Sequence, residues 1–225
     1  MKFKFAPNDL LKEARLTANP GEYDGSPQMA DLSFGYIPYT HLRPNRFATA
    51  SALAFRTFIS GEFSVALPLM PQLAGAISTF IDSDNLHVHP LDFKANKIEQ
   101  GKTVIGINPM DRYEVDTKFQ DFDTPRVTDL CLVDPGSVSG AVFMPLQNRH
   151  VIPANLEFFS TVNRLKQDDS FIEFYLPSIA IAVLMAEDLD AGIIRLPKTV
   201  YMDDLYLAAQ HLLQVAGFQL ENGLT

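Results

Sequence analysis

Two stretches of this chain, about a hundred residues apart, carry similar landmarks in the same order, and that repetition most constrains how the chain can fold. The first runs from Tyr36-Ile37-Pro38 through Asn45-Arg46 to a helix candidate, Ala48 to Ile59, and then to the apolar segment Phe63 to Leu67 and Pro68. A second apolar segment leads into Asp82-Ser83-Asp84 and an extended stretch ending at Pro90. The other copy runs from Phe143-Met144-Pro145 through Asn148-Arg149, a helix candidate Ala154 to Leu165, the segment Phe171 to Leu176 and Pro177. An apolar helix, Asp188-Leu189-Asp190 and a stretch ending at Pro197 complete it, with matching positions offset by 103 to 109 residues.

This spacing predicts one helix-strand-helix-strand unit built twice, over residues 36 to 91 and 143 to 198. The competing explanation is that turns between any helices and strands attract proline and aspartate. The offset is far longer than a solenoid repeat, so two related halves are expected rather than an array. The expected divisions are an N-terminal arm and linker over 1–30, a first half over 31–112 and a second half over 113–225.

Local patterns place both helices and short strands in each half. Ala52, Phe55 and Ile59 fall at i, i+3 and i+7, and Phe158, Val162 and Leu165 give a matching apolar stripe. Phe63 to Leu67 and Phe171 to Leu176 are short, aromatic or branched, and bounded by turn residues, which predicts strands. Val104 to Ile107, Tyr113 to Val115 and Leu130 to Val133 also read as strands, joined by turns such as Asp134-Pro135-Gly136. A last helix starts at Asp203 or Asp204, shows Leu205, Ala208, Ala209, Leu212 and Val215 on one face, and ends at Gly217. The fold class is therefore α+β.

At the N-terminus, Lys2 and Lys4 alternate with Phe3 and Phe5, a period of two that predicts a short strand with one apolar face. Asn8 reads as the cap of a short helix through Leu10, Leu11, Ala14 and Leu16, and residues 18–30 as a polar linker. Isolated, such an arm leaves Phe3 and Phe5 in water, so they are expected to form an interface with another subunit.

Hydrophobic residues make up 47% of the chain, with 17 Phe, enough for a substantial core. A single cysteine, Cys131, excludes an internal disulfide or a cysteine metal cluster and is expected as a buried apolar side chain in a reducing compartment. No run approaches the ~18 apolar residues of a spanning helix, and the first residues lack the apolar region of a secretion signal. The chain is expected in the cytoplasm or in a virion, without membrane contact. Of the net charge of −9, residues 1–112 contribute none (11 basic, 11 acidic) and residues 113–225 all of it (7 basic, 16 acidic). That balance argues against broad contact with nucleic-acid phosphates.

The motifs that resemble chemistry fail their own requirements. His87 and His89 share a face on a strand, so with Asp82 or Asp84 they are the one set to weigh as metal ligands. An H-x-H pair stopped by Pro90 reads better as a wet strand end, and no metal or other cofactor is expected. Gln100-Gly101-Lys102-Thr103 looks like the tail of a phosphate loop, but Asn96 stands where the first glycine belongs and a strand follows, so a hairpin turn is expected. In Gly136-Ser137-Val138-Ser139-Gly140 the centre of the elbow frame is Val138, which excludes a serine nucleophile. Cys131 and His150 form a catalytic pair only if the tertiary fold joins them. Asp111, Asp116, Asp121, Asp123, Asp129 and Asp134 match no calcium loop and are expected in solvated loops.

With no catalytic signature, the reading is a non-enzymatic assembly protein, a subunit of a larger particle such as a virion head, neck or tail, oligomeric through its arm. An enzyme or ligand-binding protein with a site at Asp82 to His89 is the alternative. A ring-forming processivity clamp is a third, weakened because the lysines and arginines are scattered rather than gathered on an inner surface.

Overall fold

The computed structural model describes residues 1–8, 10–35, 43–83, 85–94, 101–111 and 126–224. They form eleven strands and five α-helices, an α+β fold. The first sheet holds β1 (Lys2–Asn8), β2 (Glu13–Asn19), β3 (Asp31–Gly35), β4 (Glu62–Leu69) and β5 (His87–Leu91), in the order β3-β2-β1-β4-β5. The second holds β6 (Thr103–Pro109), β7 (Val127–Val133), β8 (Val142–Met144), β9 (Arg149–Pro153), β10 (Ala191–Pro197) and β11 (Gln219–Leu224), in the order β11-β10-β6-β7-β9-β8. Five of these six are parallel; β8 runs antiparallel to β9 at one edge.

The helices are α1 (Pro44–Phe55), α2 (Pro71–Ile81), α3 (Leu156–Val162), α4 (Ile172–Met185) and α5 (Asp204–Val215). Helix α1 lies on β4 and on α4, α4 reaches β6, and α2 and α5 pack together beside β5 and β11, so the helices link the two sheets. Every residue of α4 except Glu173 is buried, as expected of a helix that is apolar all round. Asp203 caps α5 by accepting a hydrogen bond from Tyr206 N–H at 2.8 Å, and Gly217, at φ 89°, follows its end, both as the sequence predicts.

The expected duplication does not hold element for element. Residues 44–91 run helix, strand, helix, strand (α1, β4, α2, β5), whereas 156–197 run helix, helix, strand (α3, α4, β10). Phe171 to Leu176, predicted to be a strand, contributes the opening of α4, because branched and aromatic residues serve a fully buried helix as well as a strand. The matched prolines do opposite work. Pro68 sits where the pairing of β4 with β5 shifts between Ser64 and Leu69, while Pro177 lies inside α4 and forgoes its N–H bond to the Glu173 carbonyl. The expected boundary at 112/113 and the strand at Tyr113 to Val115 lie outside the described residues.

Residues 1–30 are part of the fold rather than a free arm. β1 is the middle strand of its sheet, and Asn8 caps no helix: its Oδ1 accepts from the N–H groups of Leu10 and Leu11, both at 3.2 Å, turning β1 into β2. The side chain that caps helices also closes tight turns, so the local signal fits both. Phe3 and Phe5, expected to meet another subunit, meet the chain's own core. Phe3 is buried, with ring centroids 4.9 Å from Phe63 and 5.8 Å from Phe55, and Phe5 lies 6.5 Å from Phe34 and 6.4 Å from Phe47. No helix among the described residues is long and apolar enough to cross a membrane.

Candidate functional site

The strand β5 carries His87 and His89 on its exposed face, as the period of two requires. Among the described residues the side-chain partner of His89 is Glu62. The parallel register sets Glu62 beside His87 and Ser64 beside His89, and Glu62 Oε1 reaches diagonally to His89 Nε2 at 2.6 Å. With Glu22, Tyr23 and Asp24, these side chains line an open groove of about 600 Å³. Asp82 is exposed at the left-handed end of α2, φ 59°, and Asp84 lies outside the described residues. Among the described residues no three His, Cys, Asp or Glu side chains are arranged to hold a metal ion.

Asp24, at the inner end of the groove, is already engaged. Its Oδ2 lies 2.5 Å from the Met1 ammonium and accepts from Gly21 N–H at 2.8 Å, and its Oδ1 accepts from Ser60 N–H at 3.1 Å. Burial opposes its ionisation, but the Met1 ammonium and these backbone donors outweigh that and hold the carboxyl below its ordinary value.

A second polar cluster, absent from the sequence reading, lies across β6, β7 and β9. Arg149 stands beside Asp129 in the register, its Nε 3.1 Å from Asp129 Oδ2, and stretches along β7 so that Nη2 donates to Cys131 Sγ at 2.9 Å and to Asp111. Asp129 is buried mid-strand, not in the solvated loop expected of it. Burial pushes its carboxyl up to about 6, against the pull of Arg149 and Asn108. Burial also pushes the Cys131 thiol up, against the hydrogen bond and charge of Arg149. The pairing that brings Arg149 to Cys131 turns the adjacent His150 to the other face, where its ring stacks on Phe143 at 4.5 Å between centroids. Cys131 and His150 therefore form no catalytic pair. This is a buried structural network, in which Asp129 Oδ1 and Arg149 Nε are left without a hydrogen bond, and it holds no activated nucleophile.

Gly101-Lys102-Thr103 is neither a phosphate loop nor a hairpin turn. It leads into β6 by docking on the turn before β10: the N–H groups of Lys102 and Thr103 both donate to the Asp190 carbonyl, at 2.8 and 2.9 Å.

The third feature is an edge. Val142, Phe143 and Met144 of β8 are 45%, 43% and 39% exposed, and Leu146 beyond them is fully exposed. From Pro135 to Asn148 the chain has no Asp, Glu, Lys, Arg or His. The comparably long uncharged stretches at 63–81 and 174–186 fall largely in the buried elements β4, α2 and α4, so at 135–148 lack of charge coincides with exposure.

The other three sheet edges are guarded. β3 is covered through a bridge from Phe34 to Ala154 and by Asn155, whose side chain accepts from Ser33 N–H at 2.9 Å and donates to the Asp31 carbonyl at 3.0 Å. β5 contains Pro90 and two histidines, and β11 carries Glu221, held by Arg195 at 2.9 Å. Charge, proline and cover are the ordinary devices against edge pairing, and among the described residues β8 shows none of them. What it offers chemically is backbone hydrogen bonding flanked by apolar side chains. Compared with known proteins, the chain matches no family model, no curated protein and no solved structure.

Proposed function

We propose that this chain is a non-enzymatic subunit of a larger assembly, such as a virion head, neck or tail, and that it associates through the β8 edge rather than through an N-terminal arm. The observation that carries the reading is the contrast among the four sheet edges: three are charged, proline-bearing or covered, while β8 presents Val142, Phe143, Met144 and Leu146 to solvent. Apolar surface of this kind on an edge strand favours pairing with another strand.

The test is the native mass of the purified chain by sedimentation across a wide range of concentration. A mass that rises above the 25.1 kDa of one chain supports the proposal. A strict monomer at every concentration, alone and with extract of its source, overturns it.

One observation favours a second reading. The Glu62–His89 pair opens onto a groove of about 600 Å³, a place where a small ligand can exchange a proton with the imidazole. Loss of a bound small molecule in Glu62→Gln, with assembly unchanged, is the result that favours it.

A further inference from the structure

We propose that the groove beside β5 binds a small organic cation carrying an ammonium group; this rests on the second reading above, in which the groove is a ligand site. Charge selects the sign of the ligand. Glu22, Asp24 and Glu62 line the groove, and among the described residues that line it there is no Lys or Arg. The Met1 ammonium offsets Asp24, which leaves Glu22 and Glu62 to set the charge of the walls. A neutral His89 donates to Glu62 Oε1 without cancelling its charge. A concave surface lined by one sign of charge raises the local concentration of the opposite sign.

Geometry and size then separate an organic cation from a bare metal ion. Among the described residues no three His, Cys, Asp or Glu side chains are arranged as metal ligands, so the cation is held by hydrogen bonds and charge rather than by coordination. The groove volume of about 600 Å³ lies within the roughly 300–1,000 Å³ of small-molecule sites, far more than one ion fills. An ammonium has three N–H donors and no acceptor, and the groove offers it the carboxylates of Glu22 and Glu62 and the side-chain carbonyl of Asn85. The exposed ring of Tyr23 beside them supplies a π face to the cation or its carbon chain.

The probe is cadaverine, with glutarate, a dicarboxylate of the same chain length, as its counterpart. Titration followed by amide NMR is expected to shift Gly61, Glu62 and His87 saturably with cadaverine and not with glutarate. Glu62→Gln and Glu22→Gln are each expected to weaken cadaverine binding at least about 10-fold, whereas Glu157→Gln, which removes an equal charge on α3, leaves it unchanged. The amide spectrum of each variant reports whether it folds, and because Glu22 is exposed, Glu22→Gln carries the test should Glu62→Gln fail to fold. Glutarate binding as tightly as cadaverine, Glu157→Gln weakening it as much as Glu62→Gln does, or the lack of a saturable shift overturns the proposal. If cadaverine fails but Glu62→Gln still loses another bound small molecule, the ligand class alone falls. If Glu62→Gln loses none, the groove reading falls with it.

Discussion

Asn163 holds Met29 as a neighbouring strand would. Its Oδ1 accepts from Met29 N–H at 3.0 Å and its Nδ2 donates to the Met29 carbonyl at 2.9 Å, across 134 residues of sequence. Asn163 is buried, so both backbone groups of Met29 depend on it. Asn163→Ala is expected to lower stability by about 1–3 kcal/mol in urea unfolding. Asn163→Asp retains the acceptor but turns a second oxygen onto the Met29 carbonyl, and is expected to be at least as damaging at neutral pH. Equal stability of Asp and wild type contradicts the pairing.

The Met1 ammonium and Asp24 form a buried ion pair, completed by a hydrogen bond from the ammonium to the Glu62 carbonyl. Asp24→Ala is expected to cost about 3 kcal/mol, because it strands the ammonium. Since the Asp24 carboxyl is held below its ordinary value, its contribution is present above an unfolded value of about 3.9 and is lost as pH falls further. Wild type should therefore lose stability in acid more steeply than the variant, measured as unfolding midpoints between pH 2 and 5.

Asp129 has the opposite sign. With its carboxyl at about 6 in the fold and about 3.9 when unfolded, the folded chain binds the extra proton between those values. Its contribution therefore makes stability fall as pH rises from about 4 to 6, by at most about 3 kcal/mol. Asp129→Asn mimics the protonated form and should be as stable as wild type or more so at pH 7, without that slope. A variant markedly less stable than wild type at pH 7 shows instead that the ion pair with Arg149 dominates.

Gly101 is needed for close approach, not for phosphate. A β-carbon there would lie 2.3 Å from the Asp190 carbonyl oxygen, against rigid backbone. Gly101→Ala is expected to destabilise by about 1–3 kcal/mol, whereas Lys102→Ala, whose backbone N–H keeps its bond, should be nearly neutral. Loss of nucleotide binding in Lys102→Ala, read by calorimetry, is the outcome that revives a phosphate loop.

Much of the local structure was legible because it depends on near neighbours. The cap at Asp203 and glycine after α5, the alternation in Lys2 to Phe5, the shared face of His87 and His89 and the apolar run of β7 all follow from side-chain period and turn chemistry. Where two structures use the same local chemistry, the sequence reading failed: Asn8 closes a hairpin instead of capping a helix, and Phe171 to Leu176 joins a buried helix. Both outcomes turn on what covers the segment, and burial is set by elements far along the chain. The same reason hid Glu62 from His89, Arg149 from Cys131 and Asn163 from Met29, since register between strands is not written in the spacing of either partner. Composition and periodicity by themselves determined an acidic α+β chain with a large core and no recognisable catalytic motif. Tertiary structure alone decided that Phe3 lies in the chain's own core and that Val142 to Met144 do not, because a two-residue period marks an apolar face without saying what will bury it.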